Sequence, residues 1–134
     1  MRSIVFDSYA LLSLFDDEAG ADEVSRLLSE ISQEKLEGFI SAINVGEIYY
    51  ITARKKGEEK AEATLHALQH FPLEIIEPDY HFCIEAAKVK SRHKMSYADA
   101  FAAALTQKKR ATLITGDKEF RSMEGETNFK VKFI

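Results

Sequence analysis

The stretch SIVFDSYALL (Ser3–Leu12) passes from a short strand to a helix through a single carboxylate, Asp7. The predicted strand, residues 2–6, ends in a continuous apolar run, which is typical of a parallel strand buried on both faces. Either Asp7 or Ser8 can cap the helix that follows, predicted over residues 8–15. Such a strand-to-helix transition is typical of α/β proteins.

The same alternation continues along the chain. The sequence predicts further strands over residues 39–40, 73–76, 111–115 and 129–133, and helices over 20–34, 41–56, 58–70, 79–91 and 96–109. Ser41 and Ser96 stand where helix caps belong, and Gly57 stands where a helix ends. Alternating strands and helices indicate one α/β domain over residues 1–134, with a mostly parallel sheet and helices on both faces.

Length and composition narrow the class of protein. The chain has 134 residues, 46% hydrophobic and 30% charged, which is ordinary for one globular domain. Its only cysteine, Cys83, excludes an internal disulfide. No run reaches the roughly 18 apolar residues of a membrane helix, and the early strand leaves no room for a secretory signal, so we expect a cytoplasmic protein. The net charge of −4 argues against tight non-specific binding to nucleic acid.

Four carboxylates stand among apolar neighbours: Asp7, Glu47, Asp99 and Asp117. A buried carboxylate is costly unless it is paired or bound to a metal. Asp7 and Asp117 follow strands, and the carboxyl ends of parallel strands share one edge of the sheet, where ligands bind. Glu47 and Asp99 lie early in helices predicted to pass that edge. Four converging carboxylates would suit Mg²⁺, which prefers oxygen ligands.

Each acid also has a purely structural interpretation, because the chain has 22 acidic residues. Asp7 can be a helix N-cap, and Asp99 can complete a capping box with Ser96. Asp117 can belong to a Gly-Asp turn. Glu47 fits a surface role less well, since isoleucines lie four residues to either side of it. If only structural roles apply, the protein is a non-catalytic partner-binding module.

Other enzyme classes lack their motifs here. The chain has no Gly-x-Ser-x-Gly elbow and no phosphate-binding Gly-rich loop. A phosphatase of the haloacid-dehalogenase type also begins with a strand-end Asp, but it needs a second Asp two residues later. This chain has Tyr9 at that position.

Four ordered motifs carry a resemblance to a known family. They are IVFDSYALL (Ile4–Leu12), SAINVGEI (Ser41–Ile48), SYADAFAAAL (Ser96–Leu105) and TGDKEF (Thr115–Phe120). Together they span almost the whole chain and resemble the PIN-domain family, specifically its toxins of the VapC type. The resemblance implies a PIN-like three-layer sandwich whose parallel five-stranded sheet has the order 3-2-1-4-5. It also implies a metal-dependent ribonuclease site.

The resemblance assigns roles to individual residues. The family's catalytic and metal-binding acids fall on Asp7, Glu47, Asp99 and Asp117. Asp7 and Asp99 are expected to be the core ligands of Mg²⁺ or Mn²⁺, and a water activated by the cation would hydrolyse RNA. Two supporting positions are Thr115, the family's small hydroxyl residue, and Glu119, where the family often has a second Asp.

Partners follow from the same resemblance. A VapC-type toxin is an endoribonuclease held silent by an antitoxin protein, whereas other PIN domains process RNA without being toxins. The basic run Lys88–Lys94 can attract RNA or complement a helix dipole. Tyr49 and Tyr50 are adjacent on one helix, so they cannot share one buried stripe. One of them, or Tyr9 or Phe15, is expected in an exposed patch that meets the antitoxin or a second copy in a homodimer or higher homo-oligomer.

Overall fold

The computed structural model describes residues 1–134. Its five strands form one sheet in the order β3-β2-β1-β4-β5, and every neighbouring pair is parallel. The strands are β1 (Ser3–Phe6), β2 (Glu37–Ser41), β3 (Glu74–Ile76), β4 (Thr112–Thr115) and β5 (Lys130–Phe133). The α/β class, the parallel sheet and the order 3-2-1-4-5 are therefore confirmed.

Six α-helices and one 3₁₀ helix connect the strands. The α-helices are α1 (Ser8–Phe15), α2 (Ala21–Ser32), α3 (Ala42–Lys56), α4 (Glu58–Gln69), α5 (Tyr80–Arg92) and α6 (Tyr97–Lys109). The 3₁₀ helix spans Lys118–Met123, where the sequence predicted only a turn. None of the helices is long and apolar enough to cross a membrane.

Alternating side chains of the central strand divide the core into two parts. Val5 packs with Phe82 and Phe101 of α5 and α6 on one face. Ile4 and Phe6 pack on the other face with buried residues of α1, α2, α3 and α4. Successive residues of a strand point to opposite faces, so a fully apolar strand requires helices on both sides. The predicted three-layer sandwich follows from this pattern.

The helix boundaries follow from local chemistry. Asp7, rather than Ser8, caps α1, because its Oδ1 accepts a hydrogen bond from the Ala10 amide at 2.9 Å. Ser41 caps α3 and Ser96 caps α6 through their hydroxyl oxygens, as predicted. Gly57 ends α3 with a φ of +93°, a conformation that favours glycine.

Strand register brings the ends of three strands into line. Phe6 at the end of β1 pairs with Ile40 of β2 and with Ile114 of β4. The residues that follow these strands therefore emerge side by side at the carboxyl edge of the sheet. Helices α1 and α3 begin at that edge directly after β1 and β2. This edge is where the site is built.

Candidate metal centre

Asp7 is the most deeply buried acid of the chain, with only 1% of its surface exposed. Besides capping α1, it accepts a hydrogen bond on Oδ2 from the Thr115 hydroxyl at 2.5 Å. The pKa of Asp7 is raised to about 7, mainly by burial and also by the charges of Asp117 and Glu47, against the lowering effect of its two hydrogen bonds. Burial thus deprives the ionised form of Asp7 of stabilisation by water.

Thr115 links the ends of β1 and β4. It is fully buried; its Oγ1 donates to Asp7 and accepts a hydrogen bond from the Asp117 amide at 2.9 Å. One hydroxyl therefore fixes the position of two acids that are distant in sequence. The structure places Thr115 as the resemblance implied, next to the acids.

Asp99 is the third residue of α6, and its backbone amide donates to the Ser96 hydroxyl at 3.1 Å. It is 9% exposed. Burial, together with the charges of Asp117, Asp7 and Glu47, raises its pKa to about 7. Since these charges reach Asp99, all four predicted acids converge on one region.

A tight group forms where α6 meets the start of the 3₁₀ helix. Asp99, Asp117 and Glu119 each offer a carboxylate oxygen, and these atoms lie within 4.8 Å of one another. Asp117 Oδ1 also accepts a hydrogen bond from the Glu119 amide at 3.0 Å, which holds the two residues in one turn. Glu119, which replaces the second Asp often found in the family, therefore lies in the cluster with its longer side chain exposed.

Glu47 approaches from the opposite side, on α3. It is half-buried, and its Oε1 accepts a hydrogen bond from the Ser8 hydroxyl. Asp7 and Glu47 do not belong to the tight group of three, although their charges act on Asp99. We call the five residues the acidic cluster: Asp7, Glu47, Asp99, Asp117 and Glu119.

Two supporting residues were not singled out from the sequence. Ser8 is 6% exposed and orients Glu47, a contact between residues 39 positions apart. Asn44 is fully buried in α3, and its Nδ2 donates to the Ala98 carbonyl at 3.3 Å, which ties α3 to the first turn of α6. In the sequence, the only sign of this role was that Asn44 is an amide within an apolar segment. In the structure, the Oδ1 of Asn44 accepts no hydrogen bond from a protein donor.

The predicted basic run lies at the end of α5 and in the loop before α6, the helix that carries Asp99. In the predicted basic run, Lys88 pairs with Glu85 at 3.3 Å, and Lys90 donates to the Met95 carbonyl at 2.7 Å. Arg92 and Lys94 are exposed and form no ion pair. His93 also contacts Glu126, at 2.7 Å, so three residues of the run serve structure, and Arg92 and Lys94 are free to bind an anion.

The donor set fits a hard divalent cation. Every candidate ligand in the acidic cluster is a carboxylate oxygen, and no histidine or cysteine belongs to the tight group. Oxygen donors suit Mg²⁺, Ca²⁺ and Mn²⁺, whereas softer metals are usually bound through nitrogen or sulfur. Neighbouring carboxylates held out of water also need a positive charge to be stable when ionised.

A parallel α/β sheet with an acidic cluster at its carboxyl edge defines a protein with a site for a divalent cation. The model of the PIN domain family matches residues 4–126, a range that includes the whole cluster. The chain belongs to the PIN-domain family. No curated protein matches it at a significant level.

Solved structures share the fold. VapBC2 from Rickettsia felis, bound to a promoter DNA fragment, has a TM-score of 0.75 at 16% identity, covering 98% of both chains. The sarcin-ricin-loop-cleaving toxin VapC20 from Mycobacterium tuberculosis has a TM-score of 0.74 at 17% identity, covering 90% of this chain and 95% of that one. DNA-bound VapBC from Salmonella typhimurium has a TM-score of 0.73 at 15% identity, covering 99% and 98%. At these identities the likeness concerns the fold.

Proposed function

We propose that this protein is a Mg²⁺- or Mn²⁺-dependent endoribonuclease and the toxin of a toxin-antitoxin pair. The observation that carries the proposal is the acidic cluster at the carboxyl edge of a PIN fold, in which Asp7 and Asp99 are buried and the carboxylates of Asp99, Asp117 and Glu119 lie close together. The toxin role is supported by the similar structures, which include VapBC complexes and a toxin that cleaves RNA.

The residues of the acidic cluster would have different roles in catalysis. Asp7, Asp99 and Asp117 would hold the cation, with Glu119 as a further ligand beside them. Glu47, oriented by Ser8, would bind the cation or position the attacking water. When bound, a divalent cation stabilises charge on the phosphoryl oxygens and makes a water more acidic. Thr115 would keep Asp7 and Asp117 in place throughout the reaction.

Protonation of the acids is coupled to binding. Because the pKa of both Asp7 and Asp99 is about 7, a substantial part of these carboxyls carries a proton near neutral pH. Ligands of a cation must be ionised, so binding releases those protons. Affinity for the cation should therefore rise as the pH increases through 7.

Further parts of the proposal concern location and partners. We propose one PIN-like domain over residues 1–134 that acts in the cytoplasm on RNA and is silenced by a cognate antitoxin. Arg92 and Lys94 would attract the RNA backbone toward the acidic cluster, because phosphate contacts supply most non-specific affinity. Self-association as a homodimer or higher homo-oligomer also belongs to the proposal.

Cleavage of RNA by purified protein tests the proposal. The parent should cut single-stranded RNA with Mg²⁺ or Mn²⁺, and neither Asp7→Asn nor Asp99→Asn should do so. Asp79→Asn is a matched control, because Asp79 also caps a helix, accepting from the Phe82 amide at 2.8 Å, but lies outside the cluster. Cleavage that persists in excess EDTA, or an active Asp99→Asn, would contradict metal-dependent catalysis.

Growth of a bacterial host tests the toxin role. Induced expression of the parent should arrest growth, whereas Asp99→Asn should be harmless at equal protein level. Co-expression of the cognate antitoxin should restore growth and yield a complex. An active ribonuclease whose expression never harms the host would instead support an RNA-processing role.

A further inference from the structure

The ring of Tyr9 packs directly against Gly116 at the end of β4. A side chain at Gly116 would place its Cβ 2.2 Å from Tyr9 Cε1 and 2.8 Å from Cζ, well inside van der Waals contact. The ring therefore contacts the one backbone position that separates Thr115 from Asp117. Tyr9 itself follows Asp7 by two residues. Its position beside the acidic cluster therefore follows from its closeness to Asp7 in the chain and from its contact with Gly116.

Despite this contact, Tyr9 is 48% exposed. The cleft beside it has a volume of about 230 Å³. Apart from Tyr9, its lining consists of one apolar residue, Leu12, and four polar or charged residues, Ser13, Asp16, Glu18 and Lys55. An aromatic ring that contacts a glycine and is half exposed beside a polar cleft is not packed as a core residue. Its position is fixed, but its surface is available.

The other exposed tyrosines differ in this respect. Arg54 lies over the ring of Tyr50, 5.1 Å from its centroid. Tyr97 donates its hydroxyl to the Cys83 carbonyl and packs against Phe101. Tyr80 is 82% exposed at the start of α5 and is not seated on a strand end. Among the exposed tyrosines, only Tyr9 has a ring that is both accessible and in contact with Gly116, between Thr115 and Asp117.

We propose that Tyr9 is a stacking platform for an RNA base next to the phosphate that is cut, an inference that rests on the proposed ribonuclease function. Unpaired bases stack on exposed aromatic rings, and this contact tolerates any base because every base has a π-face. The cluster would bind the phosphate through a cation, and Tyr9 would hold the adjoining nucleotide in a single-stranded conformation.

RNA fits this ring better than a protein partner does. A protein interface usually has an apolar centre made of several residues. In the cleft beside Tyr9, only Leu12 is a large apolar neighbour. A single ring in polar surroundings suits one RNA base. The acidic cluster beside it would bind the phosphate of the same RNA through a cation.

Three substitutions test whether the ring of Tyr9 contributes to RNA binding. Tyr9→Phe retains the ring and should cleave RNA like the parent. Tyr9→Leu removes the ring and should raise the KM for single-stranded RNA about tenfold, within the range of one lost base stack. Tyr50→Leu is the matched control for loss of a half-exposed tyrosine, and it should leave KM unchanged.

Modified RNA shows whether stacking is the cause. Once the cleavage site is mapped, an abasic nucleotide placed beside it should raise KM for the parent. For Tyr9→Leu the same abasic nucleotide should change little, because the contact is already lost. Equal effects of the abasic nucleotide on both proteins would overturn the proposal.

A fluorescence measurement gives a readout that does not depend on cleavage. The chain has no tryptophan, so Tyr9→Trp creates a single reporter. Single-stranded RNA, added with Ca²⁺, should quench this tryptophan, and it should not quench the tryptophan of Tyr50→Trp.

Contrary outcomes separate this inference from the proposed function. No quenching at position 9 and an unchanged KM for Tyr9→Leu would overturn the platform while leaving the ribonuclease intact. Loss of antitoxin binding in Tyr9→Leu with unchanged RNA cleavage would assign the ring to a protein interface instead. A parent that neither binds nor cuts RNA with Mg²⁺ or Mn²⁺ would overturn both proposals.

Discussion

Asp7 shows how one side chain serves structure and chemistry together. One carboxylate oxygen accepts the Ala10 amide and the other accepts the Thr115 hydroxyl. These bonds favour the ionised form, yet burial outweighs them and raises the pKa to about 7. The helix-cap interpretation and the metal-ligand interpretation therefore do not compete, because the same residue can satisfy both.

Metal-free protein should lose stability as the pH rises from about 4 to 7. The pKa of Asp7 and of Asp99 is about 7 in the fold against an ordinary value of 3.8, so the folded state binds more protons in this window. Stability from the neutral carboxyls is complete below about pH 4 and is lost as the pH rises through 7. For the pair, the loss is on the order of a few kcal/mol.

Urea unfolding in EDTA at pH 5 and pH 8 measures this effect. The double substitution Asp7→Asn and Asp99→Asn should be much less sensitive to pH over the same interval. Equal pH sensitivity of the parent and the double variant would mean that these two carboxyls are not the groups responsible.

Gly116 and Tyr9 should be energetically coupled. Gly116→Ala introduces a Cβ that overlaps the Tyr9 ring, so we expect a loss of about 1–3 kcal/mol in the free energy of unfolding. In a Tyr9→Ala background the overlap is absent, and the same change should cost much less. A double-mutant cycle of urea unfolding measures the coupling, and additive effects would contradict the ring placement.

At the scale of elements, three helices present their N-termini near the acidic cluster. Asp7 caps α1, Ser41 caps α3 and Ser96 caps α6. The positive end of a helix dipole stabilises negative charge, and this offsets part of the repulsion among the acids. The caps thus set both the helix boundaries and the electrostatics of the site.

Substitutions at Asp7 should separate the cap from the charge. Asp7→Asn keeps an oxygen that can accept the Ala10 amide and removes the charge, so at pH 8 in EDTA it should be at least as stable as the parent. Asp7→Ala loses the cap and should be about 1 kcal/mol less stable than Asp7→Asn.

The exposed cap Asp79 provides the comparison, since its burial gives no reason for Asp79→Asn to stabilise the fold. The measurement is the free energy of unfolding of the parent and of the three variants Asp7→Asn, Asp7→Ala and Asp79→Asn. An Asp7→Asn protein well below the parent in stability would show that the negative charge itself is required.

Most elements could be predicted because caps and apolar spacing fix them locally. Ser41, Gly57 and Ser96 mark helix ends that the structure confirms. The 3₁₀ helix was missed because Lys118–Met123 is too short for a periodic signal, and its Gly-Asp start is typical of a turn. Its conformation depends on burial of Phe120 and Met123, which only the tertiary structure provides.

At the scale of the whole molecule, binding of a cation should stabilise the fold. Only the folded chain assembles the acidic cluster, and a ligand at 100 times its Kd contributes about 2.7 kcal/mol. Mg²⁺ or Mn²⁺ should therefore raise the Tm of the parent by several degrees. The Asp7→Asn and Asp99→Asn double variant should show no such rise. A parent whose Tm is insensitive to both ions would favour the partner-binding module.

Long-range contacts were the least predictable part of the site. The strand order was implied by the family resemblance, since the alternation of elements alone permits several orders. Glu119 in the tight group and the Ser8 contact with Glu47 depend on side-chain positions that no local pattern encodes. Phe15 was one of the alternatives for an exposed patch, but it is half-buried and stacks on Phe71 with ring centroids 5.6 Å apart.

The hydrogen bond from Thr115 to Asp7 joins residues 108 positions apart. Contacts that close such long stretches of chain form slowly, because much chain entropy is lost before they are made. The central strand β1 completes its pairing only when β4 docks beside it. During refolding, cation affinity should therefore return with the slowest phase, after most helix signal has recovered. The last contacts to form would complete the acidic cluster, on which the proposed ribonuclease activity depends.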